Sequence, residues 1–191
     1  VLAGCNTSAN PTGIVIYNVN TGSSRLIAAD PGSPVWSPAA HVIAWSSEDG
    51  LFTSDLESGA TRQLAGHPAA GVPSWSPDGS QIAVVDAAVQ SLDVFDVSRN
   101  TAIFQVSVIV DDAKQRAPYL STLGGPSWSP DGERIAFVCW DGTSDELCVL
   151  ELDRGEVRRL TRIARPTATG ASGTTGVTAG MGPAAWSPDG S

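Results

Sequence analysis

Short apolar runs recur along the chain, each closed by a cluster of turn-forming residues. Examples are Val42-Ile43-Ala44-Trp45, Ile82-Ala83-Val84-Val85, Leu92-Asp93-Val94-Phe95, Ile135-Ala136-Phe137-Val138 and Leu147-Cys148-Val149-Leu150. Runs this short, rich in Val, Ile, Phe and Trp and bounded by Gly, Pro, Asp and Ser, read as many brief strands rather than long helices. An all-β fold is the expectation.

The runs are ordered as a repeat, which takes priority over local structure because a missed repeat mis-assigns the whole fold. One unit reads Val35-Trp36-Ser37-Pro38, Val42 to Trp45, Leu51 to Leu56, then Arg62-Gln63-Leu64. A second reads Ser74-Trp75-Ser76-Pro77-Asp78-Gly79, Ile82 to Val85, Leu92 to Val97, then Ala102-Ile103-Phe104. A third reads Ser127-Trp128-Ser129-Pro130-Asp131-Gly132, Ile135 to Val138, Leu147 to Leu152, then Val157 to Leu160, and a fourth opens at Ala185-Trp186-Ser187-Pro188-Asp189-Gly190. The motif tryptophans stand 39, 53 and 58 residues apart. Four strands per unit, with loops of variable length, predict the four-stranded antiparallel blade of a β-propeller. Ile43, Ile82 and Ile135 each stand seven residues after the motif Trp, so the first hairpin of each blade keeps one register.

Turn chemistry explains the motif. Ser opens a type I turn, Pro fits its second position through its fixed φ, and Gly closes it where a left-handed backbone costs least. Trp36, Trp75, Trp128 and Trp186 are large enough to wedge between neighbouring blades. Pro77, Asp78, Gly79, Pro130, Asp131 and Gly132 are then structural, and the turn fully accounts for the motif aspartates at 78, 131 and 189. The first unit departs from the pattern with Ala39 and Ala40, which predicts a rearranged turn.

Repeated Trp-Ser-Pro-Asp-Gly followed by Ile-Ala resembles the blade signature of the TolB family and of the propellers attached to prolyl oligopeptidase-like peptidases. The resemblance covers residues 14 to 191 and speaks to fold far more than to activity. It implies an incomplete propeller of about three and a half blades, since the six-bladed ring it suggests needs roughly another hundred residues. The expected organisation is a tether over 1–12 and a partial propeller over 13–191. Within the latter fall a half-blade at 13–30, blades at 34–66, 73–106 and 126–161, and the start of another at 183–191. Gly13 to Val19 and Ser24 to Ile27 read as the last two strands of the half-blade, which missing C-terminal strands would complete. A piece of this kind, with an open edge, is expected to be poorly soluble alone.

The composition of the 191 residues, 41% hydrophobic with formal net charge −9, suits a folded domain and disfavours a nucleic-acid partner. The one basic cluster, Arg154, Arg158, Arg159, Arg162 and Arg165, is interleaved with acids and reads as a solvated strand edge. No run reaches the ~20 apolar residues of a spanning helix. Val1-Leu2-Ala3-Gly4-Cys5 resembles the lipobox of bacterial lipoproteins, which implies lipidation of Cys5, export and anchoring at a periplasmic or outer-surface membrane face. A chance match is the alternative, because no charged and apolar signal regions accompany it.

Catalytic signals are sparse. His41 and His67 sit near loops outside any metal-ligand pattern, and no Gly-x-Ser-x-Gly elbow or phosphate-loop ending is present. No catalytic residue, metal or cofactor is expected. Cys139 and Cys148 flank a hairpin. With a two-residue Thr143-Ser144 turn they face each other directly, so both a cross-strand disulfide and a pair of small buried thiols remain open. Two long connections, Ser107 to Pro126 and Arg162 to Pro183, leave on one face, where Arg116 and Tyr119 are candidate partner contacts or belong to idle insertions. The reading is a non-enzymatic, exported, lipid-anchored scaffold that binds a protein or envelope component, by resemblance to TolB. Its rivals are the propeller of a serine peptidase whose catalytic domain lies elsewhere and the sensor domain of a membrane regulator.

Overall fold

The structure, a computed structural model, describes residues 2–6, 13–29, 32–66, 68–86, 89–107, 125–140, 145–162 and 184–190. Every regular element among them is a β-strand. An N-terminal sheet holds β1 (Leu2–Asn6), β2 (Gly13–Tyr17) and β3 (Ser24–Ala29) in that order. The first blade is β4 (Val35–Trp36), β5 (Val42–Ser47), β6 (Gly50–Asp55) and β7 (Thr61–Ala65). The second is β8 (Ala69–Trp75), β9 (Gln81–Asp86), β10 (Ser91–Asp96) and β11 (Thr101–Ser107). The third is β12 (Ser127–Trp128), β13 (Arg134–Trp140), β14 (Asp145–Glu151) and β15 (Glu156–Arg159). All pairings are antiparallel between sequence neighbours, so each sheet is a meander. The sheets form an incomplete β-propeller that does not close.

The first strands of the blades run along the inside, with β8 against both β4 and β12. Their register repeats: Trp36 opposes Ile43, Trp75 opposes Ile82 and Trp128 opposes Ile135. Both faces of the middle strands are buried, which is why they read as near-continuous apolar runs rather than alternating ones. Ile82 and Val84 pack with Ala44 and Leu51 of the first blade, whereas Ala83 and Val85 pack with Phe137 and Leu150 of the third. Ile14 and Ile16 meet Ile43 and Trp45 in the same way. Each core therefore lies between two sheets, and no sheet has a core of its own.

Two expectations need correction. The stretch expected as a tether is partly strand: Leu2–Asn6 pairs with Gly13–Tyr17, giving the N-terminal sheet three strands rather than two. The cause is visible in the repeat. Leu2 opposes Tyr17 as Ile43 opposes Ser54, Ile82 opposes Phe95 and Ile135 opposes Leu150, so Leu2-Ala3 occupies the Ile-Ala position of a second blade strand. In the third blade, Trp140 pairs with Asp145, which puts four residues between the strands instead of a two-residue turn. Cys139 consequently opposes Glu146, and Cys148 opposes Phe137. The cysteines sit diagonally on one face with Cα atoms 5.8 Å apart, and their sulfurs are bonded.

Candidate functional site

At one end of the blades lie the turns after the inner strands and the turns between third and fourth strands. Backbone bonds tie the two sets together: Leu56, Val97 and Leu152 N–H donate to the carbonyls of His41, Ser80 and Glu133. The motif serine is the hub of its turn. Ser76 Oγ accepts from Gln81 N–H at 2.9 Å and donates to Asp78 Oδ1 at 2.6 Å, and Ser129 repeats both contacts with Arg134 N–H and Asp131. Gly79, Gly132 and Gly190 N–H donate to the carbonyls of Ser76, Ser129 and Ser187 at 2.9 Å, closing type I turns whose glycines have φ between 71° and 76°. The first blade lacks that glycine. Its Ala39 N–H turns to Ser37 Oγ at 3.3 Å, and neither alanine adopts positive φ.

The carboxylates here serve structure. The Ser129 hydroxyl, the Glu133 N–H and Arg134 hold Asp131 down at about 2. The Ser98 hydroxyl and the Arg99 N–H and guanidinium do the same for Asp96, also at about 2. Asp78 is lowered chiefly by the Ser76 hydroxyl, and Asp55 by the N–H groups of Ser58 and Glu57. Asp55 and Asp96 belong to a second recurring turn, with a residue of positive φ four places on: Asn18 and Gly22, Asp55 and Gly59, Asp96 and Asn100, Glu151 and Gly155. That pattern was readable in the sequence as a Gly or Asn four residues after an Asn, Asp or Glu at the close of each third strand. His41 is exposed, with Nδ1 3.1 Å from Glu57 Oε1.

The motif tryptophans bridge blades. Trp75 Nε1–H donates to the Val35 carbonyl at 3.3 Å, Trp128 Nε1–H to Ser74 at 3.1 Å and Trp186 Nε1–H to Ser127 at 2.8 Å. Each acceptor is the residue just before the motif Trp of the preceding blade. Arg134 adds to the last joint, with its guanidinium 4.8 Å from the Trp186 ring centre and Nη2 donating to the Gly190 carbonyl at 3.0 Å.

The opposite end carries the hairpins between second and third strands and the places where the long connections leave. There a cleft of about 810 Å³ opens between the N-terminal sheet and the first blade beside their shared core, lined by Trp45 and Phe52, with Glu48, Asp49 and Thr61 on its polar side. The two rings stack with centroids 5.6 Å apart. In the third blade, buried Glu146 accepts from the Thr161 hydroxyl, beside the Cys139–Cys148 bond. Among the described residues no group of His, Cys, Asp and Glu could hold a metal ion, and no helix is long and apolar enough to cross a membrane. Arg116, Tyr119, His67, Arg165 and the Thr143-Ser144 turn lie outside the described residues, so the structure does not place the candidate contacts.

No family model matches the chain. A distant relative, the WD repeat-containing protein VIP3 of Arabidopsis thaliana, is 27% identical over 154 residues, covering 77% of this chain and 46% of that protein. TolB from Acinetobacter baumannii superposes with a TM-score of 0.59 at 20% identity, over 84% of this chain and 41% of TolB. The β-propeller domain of the Trilobed protease from Pyrococcus furiosus gives a TM-score of 0.55 at 15% identity, over 86% of this chain and 53% of that one. The chain thus spans about half the length of the proteins it matches, or less. These likenesses agree on the β-propeller fold.

Proposed function

We propose that this chain is part of a TolB-like, non-catalytic propeller scaffold whose binding face is the end from which the long connections leave. The observation that carries this reading is the cleft of about 810 Å³ between the N-terminal sheet and the first blade. Its half-buried Phe52, backed by Trp45 of the core and set beside Glu48 and Asp49, suits a protein segment with an apolar anchor and a cation. Rigid blades stapled through Trp75, Trp128 and Trp186 supply the fixed frame on which such recognition depends. The Cys139–Cys148 bond supports residence in an oxidising compartment, and so export.

Membrane attachment through Cys5 competes with the fold for the same residues. Cleavage before Cys5 would remove Leu2, Ala3 and Gly4 from β1. Mass spectrometry of the native protein separates a diacylglyceryl-Cys5 terminus from a chain that retains Leu2–Gly4. To test the binding face, a photo-crosslinking residue at Asp49 should capture a defined envelope or protein partner in cells, and one at Glu57 on the other end should not. Equal capture from both positions, or none from Asp49, overturns the assignment. The likeness to the Pyrococcus furiosus protease propeller supports a second reading, a peptidase propeller, which a downstream Gly-x-Ser-x-Gly segment in the reading frame would select.

A further inference from the structure

At the cleft beside Phe52 the first blade departs from the other two. Four residues after Ile43, Ile82 and Ile135 stand Ser47, Asp86 and Cys139, and their cross-strand partners are Gly50, Ser91 and Glu146. Asp86, Ser91, Cys139 and Glu146 are all buried, on the face that each blade turns to the one before it. The first blade puts a hydroxymethyl group and a hydrogen in the same two places. Those small groups leave the space between the two sheets open, with Ile27 and Ala28 of β3 across from Ser47 and Phe52. Phe52 itself takes the position that Asp93 and Cys148 hold in the later blades.

The rim of this space is fixed in place. Glu48 and Asp49 form the two-residue turn between Ser47 and Gly50. The Asp49 N–H donates to Ser47 Oγ at 3.1 Å, and the Asp49 carbonyl accepts from Gln63 Nε2 at 2.8 Å. Gly50 follows with φ of 133°, and a Cβ there would run into the Ala65 carbonyl, so the hairpin lies flush against β7. The tip is therefore ordered on folding, and its two carboxylates meet a ligand with little further loss of backbone freedom.

We propose, resting on the reading that this cleft belongs to the binding face, that its occupant is one arginine of a partner segment. Arginine unites the apolar anchor and the cation in a single side chain. Its methylene stem lies against Phe52, while the planar guanidinium stacks on the ring and donates to Glu48 and Asp49 at the rim. Lysine offers a similar stem, but its compact ammonium makes neither the stacked nor the two-pronged contact. Gln63 is a positioning residue: through the Asp49 carbonyl it fixes where the carboxylates stand, so preference for charge depends on it while contact with the stem does not.

The test uses the full chain and two blocked tripeptides, Gly-Arg-Gly and Gly-citrulline-Gly, whose central side chains match in shape and differ in charge. Binding is read by NMR at the amides of Glu48, Asp49 and Gly50. At low ionic strength the arginine peptide should bind about fivefold more tightly, and the preference should fall as salt is added. Glu48→Gln/Asp49→Asn should abolish the preference and leave citrulline binding in place. Gln63→Ala should reduce the preference with citrulline binding unchanged, a split that general loosening of the blade would not give. Ser47→Leu, which restores a side chain where Asp86 and Cys139 stand, should block both peptides. Equal binding of the two peptides, or tighter binding of a Gly-Lys-Gly peptide, overturns the arginine assignment and leaves the cleft as a binding face. An undiminished preference in Gln63→Ala overturns the positioning role. No response of these amides to any of the peptides overturns the cleft reading and the inference together.

Discussion

The indole N–H of Trp128 donates to the backbone carbonyl of Ser74, and Ser74 immediately precedes Trp75, whose own indole reaches back to Val35. The blades are thus chained by one contact repeated at a fixed place in the motif. Trp128 is 8% exposed and sits in the core between the second and third blades, so the bond is made where water competes poorly. Trp128→Phe removes the donor and keeps most of the apolar wedge. It should cost about 0.5–1.5 kcal/mol, the net contribution of one hydrogen bond, since the Ser74 carbonyl stays in the β8–β9 ladder. Trp128→Ala should cost about 3–5 kcal/mol, because the cavity is added. Urea titrations of the two variants against the parent measure the difference; a Trp128→Phe variant as stable as the parent would show that the hydrogen bond contributes nothing beyond packing.

The repeat made the blades legible because its turn residues and its Trp-to-Ile interval express local physics: a type I turn fixes the hairpin, and the hairpin fixes the register. Cys139 and Cys148 were misaligned for the opposite reason. Their register depends on the length of a loop that carries no turn signature, so a four-residue connection could not be told from a two-residue one. Leu2-Ala3 was missed as a blade strand because the motif turn that would announce it does not precede it in the sequence. The cleft beside Trp45 and Phe52 was not legible at all, since it arises from the spacing of two sheets.

Gly79 and Gly132 occupy equivalent turn positions with φ of 71° and 76°, yet their surroundings differ. A Cβ on Gly79 would lie 2.7 Å from Ala39 Cβ and 3.0 Å from Ser37 Oγ, whereas a Cβ on Gly132 would lie 3.6 Å from Pro77, an ordinary contact. Gly132→Ala should therefore cost roughly 1–2 kcal/mol for the left-handed backbone alone. Gly79→Ala should cost about 1–3 kcal/mol more through overpacking between the turns of the first and second blades. Thermal melts of the two variants check the ordering, and a Gly132→Ala loss as large as that of Gly79→Ala would contradict the packing account.

Asp96 and Asp131 have native values of about 2, below the ordinary 3.8. A carboxylate depressed on folding adds stability that is complete above its unfolded value and is lost as pH falls through its folded one. Stability should accordingly hold from neutral pH down to about 4 and decline between about 4 and 2. Asp131→Asn and Asp96→Asn should each lower stability at pH 7 and flatten the decline below pH 4. Urea midpoints at pH 7, 4 and 2.5 read this directly. A parent and an Asp131→Asn variant that run parallel across that window would show that the turn carboxylate does not supply the pH dependence.

The Cys139–Cys148 bond lies inside the core between the second and third blades, with the two residues 1% and 0% exposed. A reductant must reach it through opening of the blade, so the bond should persist in native protein under mild thiol. Of the chain's three cysteines, that bond leaves Cys5 to react where it carries no lipid. Thiol titration in denaturant without reductant should count one, and with reductant three. The cross-link closes a short loop, with a sequence separation of 9, for which loop-closure entropy gives roughly 2–3 kcal/mol. Cys139→Ala/Cys148→Ala should lose at least that much, because two packed sulfurs leave the core as well. Three thiols counted in denaturant alone would show that the hairpin holds free cysteines, and the oxidising compartment would then lose its support.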